Sequence, residues 1–200
     1  MSILTEALPD TVTVDGKEYA IRTDYRVWLK FQKIIFDFSK DSIKKLTDAI
    51  INCIDTKRCS LLPENAGELM EAFMRFHSCG RELNAKNSGG SEDKARKVPI
   101  FDFEEDAGYI YGAFLAQYGI DLIDTVHLHW YKFDALFHSL EESNKIMKIM
   151  SWRDLDLSKI KDGEQRKAYQ KLKDTFALPD TRTQEEKDAD NAAEFSKMFF

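Results

Sequence analysis

A mainly α-helical protein with one short N-terminal β-hairpin is the fold class this sequence predicts, and three observations predict it. Apolar residues recur at steps of three and four through most of the 200 residues. Strict alternation of apolar and polar residues occurs around a single Asp15-Gly16 pair near the start. The stretch from Phe101 to Pro179 is dense in aromatics that keep a helical period.

The hairpin comes first. Val12 and Val14 alternate with Thr11 and Thr13, and Tyr19 and Ile21 alternate with Glu18 and Ala20. Asp15-Gly16 is a preferred type I′ pair, because Gly tolerates the positive φ that the turn requires. The hairpin is expected over Thr11 to Arg22 and must pack on helices or join another strand, since two strands alone are marginal. Asp24 or Thr23 then caps a first helix with Val27, Trp28, Phe31, Ile34, Ile35 and Phe38 on one stripe. A second helix is expected from about Asp41 to Ile54, burying Ile43, Leu46, Ile50 and Ile54. A third starts near Pro63, an allowed first-turn residue, and buries Ala66, Leu69, Met70, Phe73 and Phe76.

Residues 84–98, NAKNSGGSEDKARKV, have no apolar period and contain Ser-Gly-Gly. They read as a flexible, exposed connection. Asp102 and Glu105 form a candidate capping box for a helix carrying Ala107, Ile110, Tyr111, Phe114, Leu115 and Tyr118, which Gly119 stops. Ile120 to Ile123 form a short connection. The next helix is expected over about Asp124 to Leu140, with Val126, Trp130, Phe133, Phe137 and Leu140 inward. Ser143 caps a short helix with Ile146, Ile149 and Met150. A final core helix over Asp162 to Phe176 uses Ala168, Tyr169, Leu172 and Phe176, and Pro179 ends it. The domain reading is therefore hairpin plus helices over 1–83, the connection 84–98, a helical half 99–179 packing on the first as one domain, and an acidic tail 180–200 with an aromatic end. That tail is flexible or weakly helical: Thr183 and Glu186 offer a cap, but an isolated short helix is poorly populated.

Composition narrows the function classes. A hydrophobic content of 43% suffices for a real core. The net charge of −6 argues against non-specific nucleic-acid binding, which depends on neutralising phosphates. No basic start followed by an apolar run suggests a signal peptide, and no stretch approaches the ~20 apolar residues that span a bilayer. The expected location is the cytoplasm, where Cys53, Cys59 and Cys79 are free thiols, Cys53 as a small core residue.

Each motif with a chemical reading also has a plainer one. His127 and His129 stand two apart, poor spacing for two ligands on one helix face, and no nearby Cys completes a zinc set. They read as half-buried helix histidines, and Asp134 with His138 as a surface pair. Gly108 and Gly112 suggest close packing of one helix on another, favoured here as internal. Lys159, Lys161, Arg166, Lys167, Lys171 and Lys173 are interspersed with Asp162, Glu164 and Asp174, as on a solvated helix face. No phosphate loop, nucleophile elbow or catalytic Cys-His-Asp order is present, and paired carboxylates sit at helix starts where the dipole favours them. No enzyme activity, metal or cofactor is expected. The cluster Phe195, Met198, Phe199 and Phe200 is the partner-binding candidate, with docking on the chain's own core as the other reading.

Several segments carry a resemblance. ILTEALPDTVTVDGKEYAIRTDYRVWLKF at the start, then YIYGAFLAQYGIDLI, LHWYKFDALF and IMSWRDLDLSKIKD, resemble a bacteriophage family known as gene product fifteen. Residues 39–98 match it only loosely. The resemblance implies a protein of the tail module of siphophages and prophages, acting in the host cytoplasm. It points to a tail assembly chaperone that binds the tape measure protein, the major tail tube protein or both, with self-association open and neither membrane nor nucleic acid as partner. A structural tail component retained in the virion is the alternative. A phage regulatory or nucleic-acid-associated protein is a third reading.

Overall fold

The computed structural model describes residues 4–37, 41–59, 62–81 and 99–179. They form two strands, β1 (Thr11–Val14) and β2 (Lys17–Ala20), and seven α-helices: α1 (Tyr25–Phe36), α2 (Ser42–Cys53), α3 (Ala66–His77), α4 (Ala107–Tyr118), α5 (Trp130–His138), α6 (Lys145–Asp154) and α7 (Gly163–Thr175). By contacts the chain divides into two compact units that interleave in sequence. One takes residues 1–87 and 114–140, the other 88–113 and 141–200, so the boundary runs through α4. Phe38 and the whole of 84–98 and 180–200 lie outside the described residues.

In the first unit the hairpin forms as expected, with Thr11 opposite Ala20 and Val14 opposite Lys17. Asp15 and Gly16 adopt φ of +49° and +71°, the left-handed pair that a type I′ turn needs. The Asp15 amide donates to the Glu68 carboxylate of α3 at 2.9 Å. Val12 and Val14 point into the core. Beyond β2, Ile21 bridges to Ile54, the Arg22 amide donates to the Cys53 carbonyl at 2.8 Å, and the Asp55 amide donates to the Ala20 carbonyl at 3.0 Å. The Arg22 guanidinium also donates to the carbonyls of Ile51 and Asn52, covering orphan acceptors at the end of α2.

That clamp corrects the expected face of α2. Ala49, Cys53 and Ile54 are fully buried, Leu46 and Ile50 are half-buried, and Ile43 is 78% exposed. Fixing the end of α2 against β2 sets the helix phase, and two small side chains, Ala49 and Cys53, are then buried where larger ones were expected. α1 keeps its stripe: Asp24 caps it through the Arg26 amide, and Tyr25, Trp28 and Phe31 are buried. α3 begins at Ala66 rather than at Pro63, because the Asn65 side chain accepts from the Glu68 amide.

Aromatics build the core. Trp28 packs on Phe31, Phe73 and Phe76 and donates its indole N–H to the Arg22 carbonyl at 2.8 Å. Phe133 lies between Tyr25 (centroids 4.7 Å apart) and Phe114 (5.1 Å), nearly parallel to both. Trp130 stacks on His77 at 5.0 Å and donates to the His77 carbonyl. Trp28, Phe31, Phe114, Trp130, Phe133 and Phe137 are all at most 3% exposed. Their burial confirms the helical phase read from the sequence.

In the second unit the Asp102 side chain accepts from the amides of Glu104 and Glu105 and so closes the turn that leads into α4. A Cβ built on Gly108 or Gly112 meets nothing within 4 Å, so the close internal packing expected there is not made among the described residues. α6 buries Ile146 and Ile149 completely. Its N-cap is Asn144, not Ser143, whose hydroxyl bonds Glu141 instead. Arg153 of α6 is the hub: its guanidinium makes a bidentate pair with Asp106 (2.6 and 2.9 Å) and reaches the carbonyls of Ile100 and Phe176.

α7 is capped by Asp162 but is not a core helix. None of its residues is buried; Ala168 is exposed, Tyr169 is 37% exposed, and Leu172 with the following Phe176 is half-buried. Phe176 packs on Trp152 while the Lys145 ammonium sits over both rings, and Lys173 donates to the Leu155 carbonyl. Only the last turn is therefore held.

Candidate interaction surface

The most unusual local construction in the first unit is the segment from Gly119 to His129. Gly119, at φ +65°, ends α4 as expected. The sequence suggests a helix from Asp124 onward, yet α5 starts only at Trp130. Three interactions, two local and one distant in sequence, compete with helix here. The Asp121 side chain accepts from the amides of Ile123 and Asp124, an Asx turn. The Thr125 amide donates to the Asp121 carbonyl. Residues 128–130 then run beside 23–25: Tyr25 amide to Leu128 carbonyl, Trp130 amide to Thr23 carbonyl, and Leu128 amide to the Asp24 carboxylate.

Arg26 ties this loop to α1. Its guanidinium donates to the carbonyls of Leu122 (2.7 Å), Thr125 (2.9 Å) and Ile123 (3.4 Å), and it also pairs with Asp24 at 3.3 Å. The Tyr25 hydroxyl donates to the same Leu122 carbonyl at 2.7 Å, and Leu122 is buried. While the backbone is held this way, Ile123 is 73% exposed and Val126 is 98% exposed. Val126 was expected on the buried face of a helix; the loop places it in water. The cue in the sequence is Asp121, three residues before Asp124 and two after Gly119. The longer apolar periodicity through Trp130 masks it.

The histidines are structural. His129 is the N-cap of α5: its Nδ1 accepts from the Tyr131 amide, so Nε2 carries the proton and donates to the Pro9 carbonyl at 3.0 Å. Burial pushes its pKa down. His127 bonds the Thr23 hydroxyl at 3.0 Å through Nε2. Neither histidine is helical. Asp134 is held mainly by Arg81, both oxygens at 2.8 Å, with His138 at 3.5 Å. Among the described residues no group of three His, Cys, Asp or Glu is placed to hold a metal ion. Burial raises the thiols of Cys53 and Cys79 to about 12, far from a reactive thiolate. A depression of about 260 Å³ is lined by Lys30, Lys33, Ile34, Asp37 and Asn52, with no nucleophile paired to a base.

Of the residues singled out from the sequence, Phe195, Met198, Phe199 and Phe200 lie outside the described residues. Of the basic cluster, Arg166, Lys167 and Lys171 of α7 are exposed as on a solvated face, and Lys159, before the helix, pairs with Asp156. No helix among the described residues is long and apolar enough to cross a membrane.

Comparison with known proteins adds one match. The family described as Bacteriophage Gp15 protein matches residues 4–178, nearly all the described chain. No curated protein and no solved structure matches.

Proposed function

We propose, for a chain that belongs to the Bacteriophage Gp15 protein family, that it acts in tail morphogenesis as an assembly chaperone. In this reading it binds the tape measure protein, the tail tube protein or both, in the host cytoplasm and without catalysis. The family match over residues 4–178 carries the reading. A chaperone of this kind needs apolar surface that polymerising subunits can displace. The exposed Ile123 and Val126 on an anchored loop supply such surface among the described residues, and the net charge of −6 opposes self-aggregation.

The test is genetic and compositional. A phage with a stop codon in this gene is expected to make heads without tails, and a plasmid copy restores tails. Mass spectrometry of purified particles is expected to find the protein absent or greatly depleted. Regular copy number in the particle overturns the chaperone role in favour of a structural tail component.

A further inference from the structure

The Ile123–Val126 loop spends an unusual amount of bonding on holding still. Three backbone carbonyls converge on the Arg26 guanidinium, the Tyr25 hydroxyl reaches one of them, and Asp121 closes the turn from within. Buried backbone acceptors must be satisfied wherever a loop packs. What needs separate explanation is that the side chains so fixed are apolar and lie in water. Scattered exposed apolar residues are ordinary on a protein surface. Here two β-branched side chains, Ile123 within the turn closed from Asp121 to Thr125 and Val126 next after it, are exposed at 73% and 98%. Such side chains have few rotamers to lose, and their backbone is already ordered. Both facts lower the entropic cost of inserting them into a partner.

Charge says what the partner looks like. Asp124 lies between the two apolar residues and is exposed, whereas Arg26 points to the loop backbone and Asp24. The tip of the loop is thus apolar with an anionic flank. We propose that Ile123 and Val126 form a preorganised knob that inserts into an apolar pocket flanked by lysine or arginine on the tail protein this chain escorts. The inference rests on the tail-assembly reading and names its contact.

The experiment uses the full chain and the purified tape measure and tail tube proteins of the same phage, with affinity measured by titration. The double variant Ile123→Asp/Val126→Asp is expected to melt as the native chain does and to bind at least ten-fold more weakly. Ile43→Asp, at an isoleucine 78% exposed on α2, is expected to bind as the native chain does. Asp124→Lys is expected to weaken binding several-fold and to reduce its salt dependence. Equal binding by the native chain and the double variant overturns the knob while the tail-assembly reading stands. A large fall in melting temperature for the double variant shows those side chains to be packed and overturns it also. Unchanged binding by Asp124→Lys overturns the cationic rim. Failure of the native chain to bind either protein overturns the tail-assembly reading, and the knob with it.

Discussion

His77 shows how much one buried side chain can set the acid limit of the first unit. Its ring stacks on Trp130 and lies against Phe31 and Trp28, and its buried Nε2 has no hydrogen-bond partner among the described residues. Burial lowers its pKa from 6.5 to about 4, against the nearby Asp134 carboxylate, which favours the charged form. The unfolded chain therefore binds a proton near pH 6.5 that the folded chain refuses until about pH 4. Stability from this group is fully present above about pH 6.5 and is lost as pH falls toward about 4. His129, also lowered, adds to the loss in the same direction, because its protonation removes the acceptor that caps α5. Urea melts across this range are expected to show stability falling with pH, by about 3 kcal/mol from His77 alone. In His77→Phe the slope should flatten; an unchanged slope would assign the acid sensitivity to other groups.

At the scale of elements, what the sequence made legible was whatever local chemistry decides. The Asp15-Gly16 turn, the Asp24 cap and the Gly119 stop all rest on bonds within a few residues. So does the aromatic stripe from Trp130 to Phe137. The errors came where distant residues decide. α2 takes its phase from Arg22, and α5 starts late because residues 128–130 bond to 23–25. α7 has an amphipathic pattern, but none of its residues is buried, and the bonds described above between it and the rest of its unit fall at its C-terminal end. This difference along α7 is measurable. Tyr169→Ser is expected to change unfolding free energy by under about 1 kcal/mol, as at exposed positions generally. Arg153→Ala leaves the Asp106 carboxylate, 2% exposed, without its cation and is expected to cost roughly 3–5 kcal/mol. Comparable losses from both variants in thermal melts would place α7 in the core after all.

For the molecule as a whole, two apolar elements compete for the role of partner contact, and they make different demands on stability. The Ile123–Val126 knob lies on a loop bonded into the first unit, so its function depends on a folded core. Phe195, Met198, Phe199 and Phe200 follow Pro179 by more than a dozen residues. Among the described residues, Arg153, Trp152 and Lys145 hold Phe176 directly. The sequence made this terminal cluster visible because four large apolar residues at a charged end stand out. It hid the knob because Val126 fits a helical period. Deleting Asp180 to Phe200 is expected to leave the melting temperature nearly unchanged. If the cluster also contacts tail proteins, the deletion should weaken their co-purification. Burying one large apolar side chain contributes roughly 1.5–3 kcal/mol, so losing several should be felt as orders of magnitude in affinity. The deletion combined with Ile123→Asp/Val126→Asp then separates the two contacts. Additive losses mean two independent contacts, as expected for sites without shared neighbours. A deletion that lowers the melting temperature by many degrees would instead show the aromatic end packed on the chain's own core, leaving the knob as the contact.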